Sequence, residues 1–134
     1  MKSINCFIPF IDKNQVEKTI QSLRESELVN KIYLLASEKT SEKIEGCEII
    51  SISSLNASET IKTVSKYAES ALTLLYTKFT SLELGYFALE RMTKILDDSK
   101  AGMVYADNYQ IAGDKKSNAP VIDYQLGSLR DDFN

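Results

Sequence analysis

Two short, nearly continuous apolar runs constrain the fold more than any other feature of the chain. Ile4 to Phe10 and Lys31 to Ala36 show almost none of the apolar–polar alternation that a half-solvated strand requires, and Cys47 to Ile52 reads as a third strand after a polar stretch ending at Gly46. Runs of this length without alternation fit strands buried on both faces, the signature of a parallel sheet. Between and after them the period changes. Asp12 or Asn14 can cap a helix, with Gln15 three positions after Asp12 as in a capping box, and Val16, Ile20 and Leu23 follow at i, i+4, i+7. Asn56 with Glu59 marks a second helix start, for which Ile61, Val64 and Tyr67 or Ala68 supply the apolar face. Ala71 to Tyr76 reads as a fourth strand. Tyr86, Leu89, Met92, Ile95 and Leu96 read as a third helical stripe that stops before Asp97-Asp98-Ser99. Met103 to Ala106 reads as a fifth strand.

Strands alternating with helices at these spacings specify right-handed βαβ crossovers that cover both faces of one sheet. The expected class is therefore α/β: three layers, with a mostly parallel sheet between helices. From Asp107 the pattern changes to a hairpin-like excursion, with Tyr109-Gln110-Ile111, a turn at Gly113-Asp114, and Val121-Ile122. No repeat, low-complexity tract or linker interrupts residues 1–134, so a single domain is expected. Arg130-Asp131-Asp132-Phe133-Asn134 follows a mixed run with no closing element, which leads us to expect an N-terminal fragment of a longer protein.

Composition removes several functions. The chain has no histidine, which excludes Ser-His-Asp hydrolysis, histidine acid–base chemistry and most zinc catalysis. Sixteen basic against nineteen acidic residues give a net charge of −3, a poor footprint for nucleic acid. The two cysteines, Cys6 and Cys47, fall in apolar strands without a metal or redox spacing, so both are expected to be unpaired core thiols. No apolar run approaches the ~18 residues of a membrane span, and Pro9 interrupts the only apolar stretch near the N-terminus. A cytoplasmic location follows as the expectation, and a peripheral membrane association is compatible with it.

In an open parallel sheet, ligands bind outside the carboxyl ends of the strands, where strand order reverses. That rule nominates Pro9-Phe10-Ile11-Asp12, Ala36-Ser37-Glu38, Thr77-Lys78-Phe79 and Asp107-Asn108. It names no ligand.

Ile4-Asn5-Cys6-Phe7-Ile8-Pro9-Phe10, a helix carrying Val16, Ile20 and Gln21-Ser22-Leu23, and then Ile32-Tyr33-Leu34-Leu35 resemble the opening of family-two glycosyltransferases of the GT-A fold. Leu74-Leu75-Tyr76-Thr77-Lys78-Phe79, followed by Leu82-Glu83-Leu84-Gly85-Tyr86-Phe87-Ala88-Leu89-Glu90, is similar to that family's metal-motif strand and the turn and helix after it. Met103-Val104-Tyr105-Ala106-Asp107 is similar to the next strand. The resemblance runs in consistent order over roughly residues 4 to 111. It implies a UDP- or GDP-linked sugar donor in the strand-end cleft, a glycan or other acceptor, and a magnesium or manganese ion on the diphosphate. The implied nucleotide-sugar contacts are Pro9, Phe10, Ile11, Ser37, Glu38, Lys78 and Asp107.

The departures are specific. The acidic end of the family's second strand is here Ala36-Ser37, with Glu38 one step late. The Asp-x-Asp position is Thr77-Lys78-Phe79, which carries no carboxylate for a hard cation. Lys78 can neutralise phosphate as a point charge, or simply reach solvent. Asp107 can meet a sugar hydroxyl or a metal, or satisfy turn amides before Asn108. Asp131 and Asp132 are either metal ligands or an exposed charged tail. The family's catalytic base comes from the second half of its fold, so no catalytic residue is assigned here. A non-catalytic, degenerate binding module is the alternative reading. A receiver-type domain lacks its acidic pair at Ile11-Asp12 and its aspartate near Ser53-Ser54, and no Gly-x-Gly-x-x-Gly follows the first strand for a dinucleotide.

Overall fold

The computed structural model describes residues 4–105 and the backbone of residues 108–112 and 115–119. The chain divides into two compact units, Met1–Thr93 and Lys94–Asn134. The first holds β1 (Ile4–Phe10), α1 (Lys13–Arg24), β2 (Val29–Ala36), β3 (Cys47–Ser51), α2 (Ser58–Tyr67), β4 (Leu72–Leu75) and the start of α3 (Ala88–Ser99). The four strands form one all-parallel sheet in the order β3-β2-β1-β4. The fold is α/β, three-layered and Rossmann-like.

Strand alternation sorts the core into two layers. Ile4, Cys6, Ile8 and Phe10 of β1 share one face with Ile32, Leu34 and Ala36 of β2, and they pack against Val16, Ile20 and Leu23 of α1 and Leu89 of α3. Phe7, Tyr33, Leu35 and Ile50 line the other face, where Val64 and Tyr67 of α2 cover them. All seven residues of β1 are buried, which explains a run that is apolar except for Asn5. Complete burial of a side chain such as Leu23 stabilises by roughly 1.5–3 kcal/mol. On the α2 side the rings of Phe7 and Tyr33 stack with centroids 5.0 Å apart, and Tyr67 tilts onto Tyr33 at 5.2 Å. Asn5 is buried among these groups and is satisfied: it donates to the carbonyl of Tyr67 at 3.0 Å and accepts from Asn30 at 3.1 Å.

The β2–β3 connection crosses without a helix. It enters β3 through Gly46 at φ +75°, a left-handed conformation that glycine adopts without strain. A Cβ there would also meet the Arg24 guanidinium at 2.7 Å, and that guanidinium donates to the carbonyl of Glu45.

Several expectations need correction. Helix α2 buries Thr60 and packs the half-buried Val64 and Tyr67 against the sheet, whereas Ile61 is exposed; the Thr60 hydroxyl is accommodated because it donates to the carbonyl of Ser54. The residue before that helix is Ala57, with no side-chain cap, so Asn56 does not perform the capping role. Helix α3 runs through Asp97-Asp98-Ser99 instead of stopping before them. A Lys94–Asp98 pair at 3.2 Å and a Ser99 hydroxyl donating to the carbonyl of Ile95 support its last turn. Tyr86 precedes that helix and is exposed, and Ile95 is exposed as well. Met103, Val104 and Tyr105 form no strand, because neither ladder among the described residues includes them, and Ala106 lies outside the described residues. Cys47 is only half-buried at the start of the edge strand β3, so the core-thiol expectation holds for Cys6 alone.

The second unit contains an antiparallel hairpin of β5 (Asn108–Ala112) and β6 (Lys115–Ala119), with Ala112 paired to Lys115. Its second arm is Lys115–Ala119, whereas Val121-Ile122, expected in that arm, lie outside the described residues. Among the described residues no helix is long and apolar enough to cross a membrane.

Candidate functional site

Strand order reverses between β1 and β4: from β1 the chain moves outward through β2 to β3, then returns to place β4 on the other side of β1. The carboxyl ends of β1 and β4 therefore flank the crevice in which open α/β sheets bind ligands. Two features end the β1–β4 ladder at this point. The last ladder bond between the two strands runs from the Tyr76 amide to the Phe7 carbonyl at 3.0 Å. Two residues on, alternation returns the backbone to the same edge at Pro9, which has no amide hydrogen to continue the ladder.

The Pro9 carbonyl is taken instead by Gln15. Its Nε2 donates to the carbonyl of Pro9 at 3.3 Å and to that of Phe79 at 2.9 Å, while its Oε1 accepts the Ile11 amide at 3.0 Å. The Gln15 amide donates in turn to Oδ1 of Asp12 at 2.9 Å, the N-cap of α1. A full capping box would return the glutamine to the N-cap amide; here it reaches one residue further back and across to the segment after β4.

That reach belongs to a longer polar stripe. Gln15, Thr19, Ser22 and Ser26 follow one another at i, i+4, i+7, i+11 along and just beyond α1. Thr19 Oγ1 accepts the amide of Leu82 and Ser22 Oγ that of Leu84, each at 2.9 Å, and the Ser26 hydroxyl donates to Glu90 at 2.8 Å. Residues 79–84 have no regular structure, so their backbone groups need partners from elsewhere, and this face of α1 supplies them. Within the same segment the Tyr76 hydroxyl lies 3.0 Å from both the carbonyl and the hydroxyl of Thr80.

The residues nominated from sequence separate into distinct groups. Pro9 and Phe10 are buried, and the Phe10 ring belongs to the core, so these two offer a ligand backbone rather than side chains. Ile11, Ser37, Glu38, Lys78 and Phe79 are exposed. Ser37 and Glu38 follow Ala36, the register partner of Phe10, so they border the crevice from the β2 side. Asp107, Asp131 and Asp132 lie outside the described residues. Sequence alone gives Gln15 only a capping role and does not single out Glu42. The Glu42 carboxylate accepts the Lys13 amide at 2.8 Å, so the first turn of α1 already carries an anion from the β2–β3 connection. The spacing of Gln15, Thr19 and Ser22 beside the apolar stripe is the available signal for the docking face.

Comparison with known families, curated proteins and solved structures finds no match to this chain.

Among the described residues, the groups at the crevice do not fit the divalent cation implied by the resemblance. Thr77-Lys78-Phe79 offers no carboxylate, and Oδ1 of Asp12 is engaged in capping. Among the described residues no group of three or more candidate metal ligands gathers anywhere. Two open clefts, of about 690 Å³ beside Arg24, Ser26 and Asn30 and about 440 Å³ beside Lys13, Glu17 and Lys43, lie away from the β1–β4 crevice.

Proposed function

We propose that this chain is the nucleotide-sugar-binding part of a cytoplasmic or membrane-peripheral glycosyltransferase of the GT-A type. The observation that supports the reading is the position of its motif-like segments. Pro9–Asp12 and Thr77–Phe79, which end the two strands that resemble the family's first and metal-motif strands, flank one switch point and are tied together through Gln15. A UDP- or GDP-linked sugar would lie across that crevice, between Ile11, Ser37 and Glu38 on the β1–β2 side and Lys78 on the β4 side, with Lys78 toward the diphosphate. Transfer would then displace the nucleoside diphosphate from the sugar in favour of a glycan or other acceptor.

A second reading, a binding module without catalysis, is favoured by the absence of carboxylates at Thr77-Lys78-Phe79. Calorimetry with uridine and guanosine diphosphates, with and without manganese, tests the shared core of both readings. The expected result is weak binding with little dependence on manganese. No binding of either diphosphate would overturn both. Transfer assays with a panel of uridine and guanosine sugar nucleotides separate them, turnover favouring the enzyme.

A further inference from the structure

We infer that Phe79 is a stacking platform for the nucleobase of the bound nucleotide, replacing metal-centred recognition by an aromatic ring beside a lysine. The inference rests on the nucleotide-binding reading above and specifies how that site recognises its ligand.

Single exposed apolar side chains are ordinary and need no explanation. Ile11 and Phe79 differ through their setting. Ile11 is 60% and Phe79 46% exposed, and the backbones that carry them are bound to the same Gln15 amide, by the Ile11 amide on one side and the Phe79 carbonyl on the other. The ring is also not carried on a loose tip. Gln15 fixes the Phe79 carbonyl, the Tyr76 hydroxyl fixes Thr80, and Thr19 fixes Leu82, so the backbone is held at and after the ring. An aromatic side chain carried on a held backbone gives up less conformational entropy when a flat ring settles on it than one on a mobile loop would.

The neighbouring charge narrows the ligand class. Lys78 is exposed and adjacent in sequence, so this strand end presents a ring and a cation. Paired carboxylates would select a metal–diphosphate complex. A ring with an ammonium selects a ligand that is itself flat at one end and anionic at the other, as a nucleotide is. Base stacking tolerates any base, because every base has a π-face. Uridine and guanosine diphosphates should therefore both bind, and inorganic diphosphate should bind less well than either.

The chain has no tryptophan, which gives the test a clean reporter. In the Phe79→Trp variant, uridine and guanosine diphosphates should quench the single indole emission, and inorganic diphosphate should leave it unchanged. In calorimetry, Phe79→Ala should weaken both nucleotides about tenfold, toward the level of inorganic diphosphate, while Phe79→Tyr keeps wild-type affinity. The side chain is exposed, so these variants should fold, as circular dichroism would verify. Wild-type nucleotide binding that Phe79→Ala leaves unchanged, or that produces no quenching in Phe79→Trp, would overturn the stacking inference and leave the nucleotide reading standing. Absence of nucleotide binding by the wild-type chain would overturn both.

Discussion

The backbone amide of Leu82 donates to the side-chain hydroxyl of Thr19 across 2.9 Å, joining residues 63 positions apart. Thr19 is itself buried, at 3% exposure, so this is a tertiary bond inside the docking face of α1. Thr19→Val keeps shape and removes the acceptor, leaving a part-buried amide without its partner. The expected cost is about 1–3 kcal/mol in urea unfolding, with faster hydrogen exchange at Leu82. A Thr19→Val variant as stable as wild type would show that water replaces the hydroxyl.

Gln15→Ala removes three side-chain bonds at once, to Ile11, Pro9 and Phe79. Partial exposure lets water take over some of them, so the expected loss is about 1–2 kcal/mol rather than three full bonds. The more specific readout is local. Exchange of the Ile11 amide should accelerate, because its acceptor has gone, while amides in β2 stay protected. Protection at Ile11 that survives the substitution would contradict the clip.

Burial pushes the Cys6 thiol up to about 12, whereas Cys47, also raised by burial, is partly offset by the Arg24 guanidinium 3.8 Å from its sulfur. The sign for Cys6 is fixed by linkage. Its folded value lies above the unfolded one of 9.0, so the unfolded chain releases the proton first. Its contribution to stability is complete below pH 9.0 and is lost progressively as pH rises from there to about 12. Cys6→Ala should therefore show a shallower alkaline decline than wild type, measured as the difference between their urea midpoints across that range. In native protein at neutral pH a thiol reagent should modify Cys47 first, with two thiols reacting after denaturation.

Lys78→Ala should weaken uridine diphosphate binding by about tenfold, the worth of one charge-assisted contact, and added salt should reduce the difference. Asp107→Ala should matter less. Tight binding that a chelator and Asp107→Ala both abolish would establish a metal site and remove the phosphate role from Lys78.

Much of the sheet is legible in the sequence because β1 and most of β2 are buried, and their apolar runs record that directly, whereas the edge strand β3 buries only Ile50. Asp12 and Gln15 are legible as helix-start residues for the same local reason. What the chain does not write locally is harder to read. Thr60 occupies a core position that periodicity assigns to Ile61, because its hydroxyl finds the Ser54 carbonyl, a partner visible only after folding. The extension of α3 through Asp97 and Asp98 rests on side-chain pairing that outweighs a helix-stop reading of the acidic run. At the crevice, Pro9, Ile11 and Lys78 can be nominated by strand ends alone. The role of Gln15 depends on β4 returning beside β1, a fact of topology rather than of neighbouring residues.

The fork between β1 and β4 is a property of covalent structure. Loops can collapse and side chains can rotate, but the pyrrolidine nitrogen of Pro9 offers no hydrogen at any pH or temperature. The two strands cannot zip past the Phe7–Tyr76 bond by one further rung. An ordinary residue at position 9 would restore that donor and let β4 compete with Gln15 for the same edge. The point at which β4 stops pairing with β1 is thus inherited from one ring closure at residue 9, set before any ligand or partner arrives.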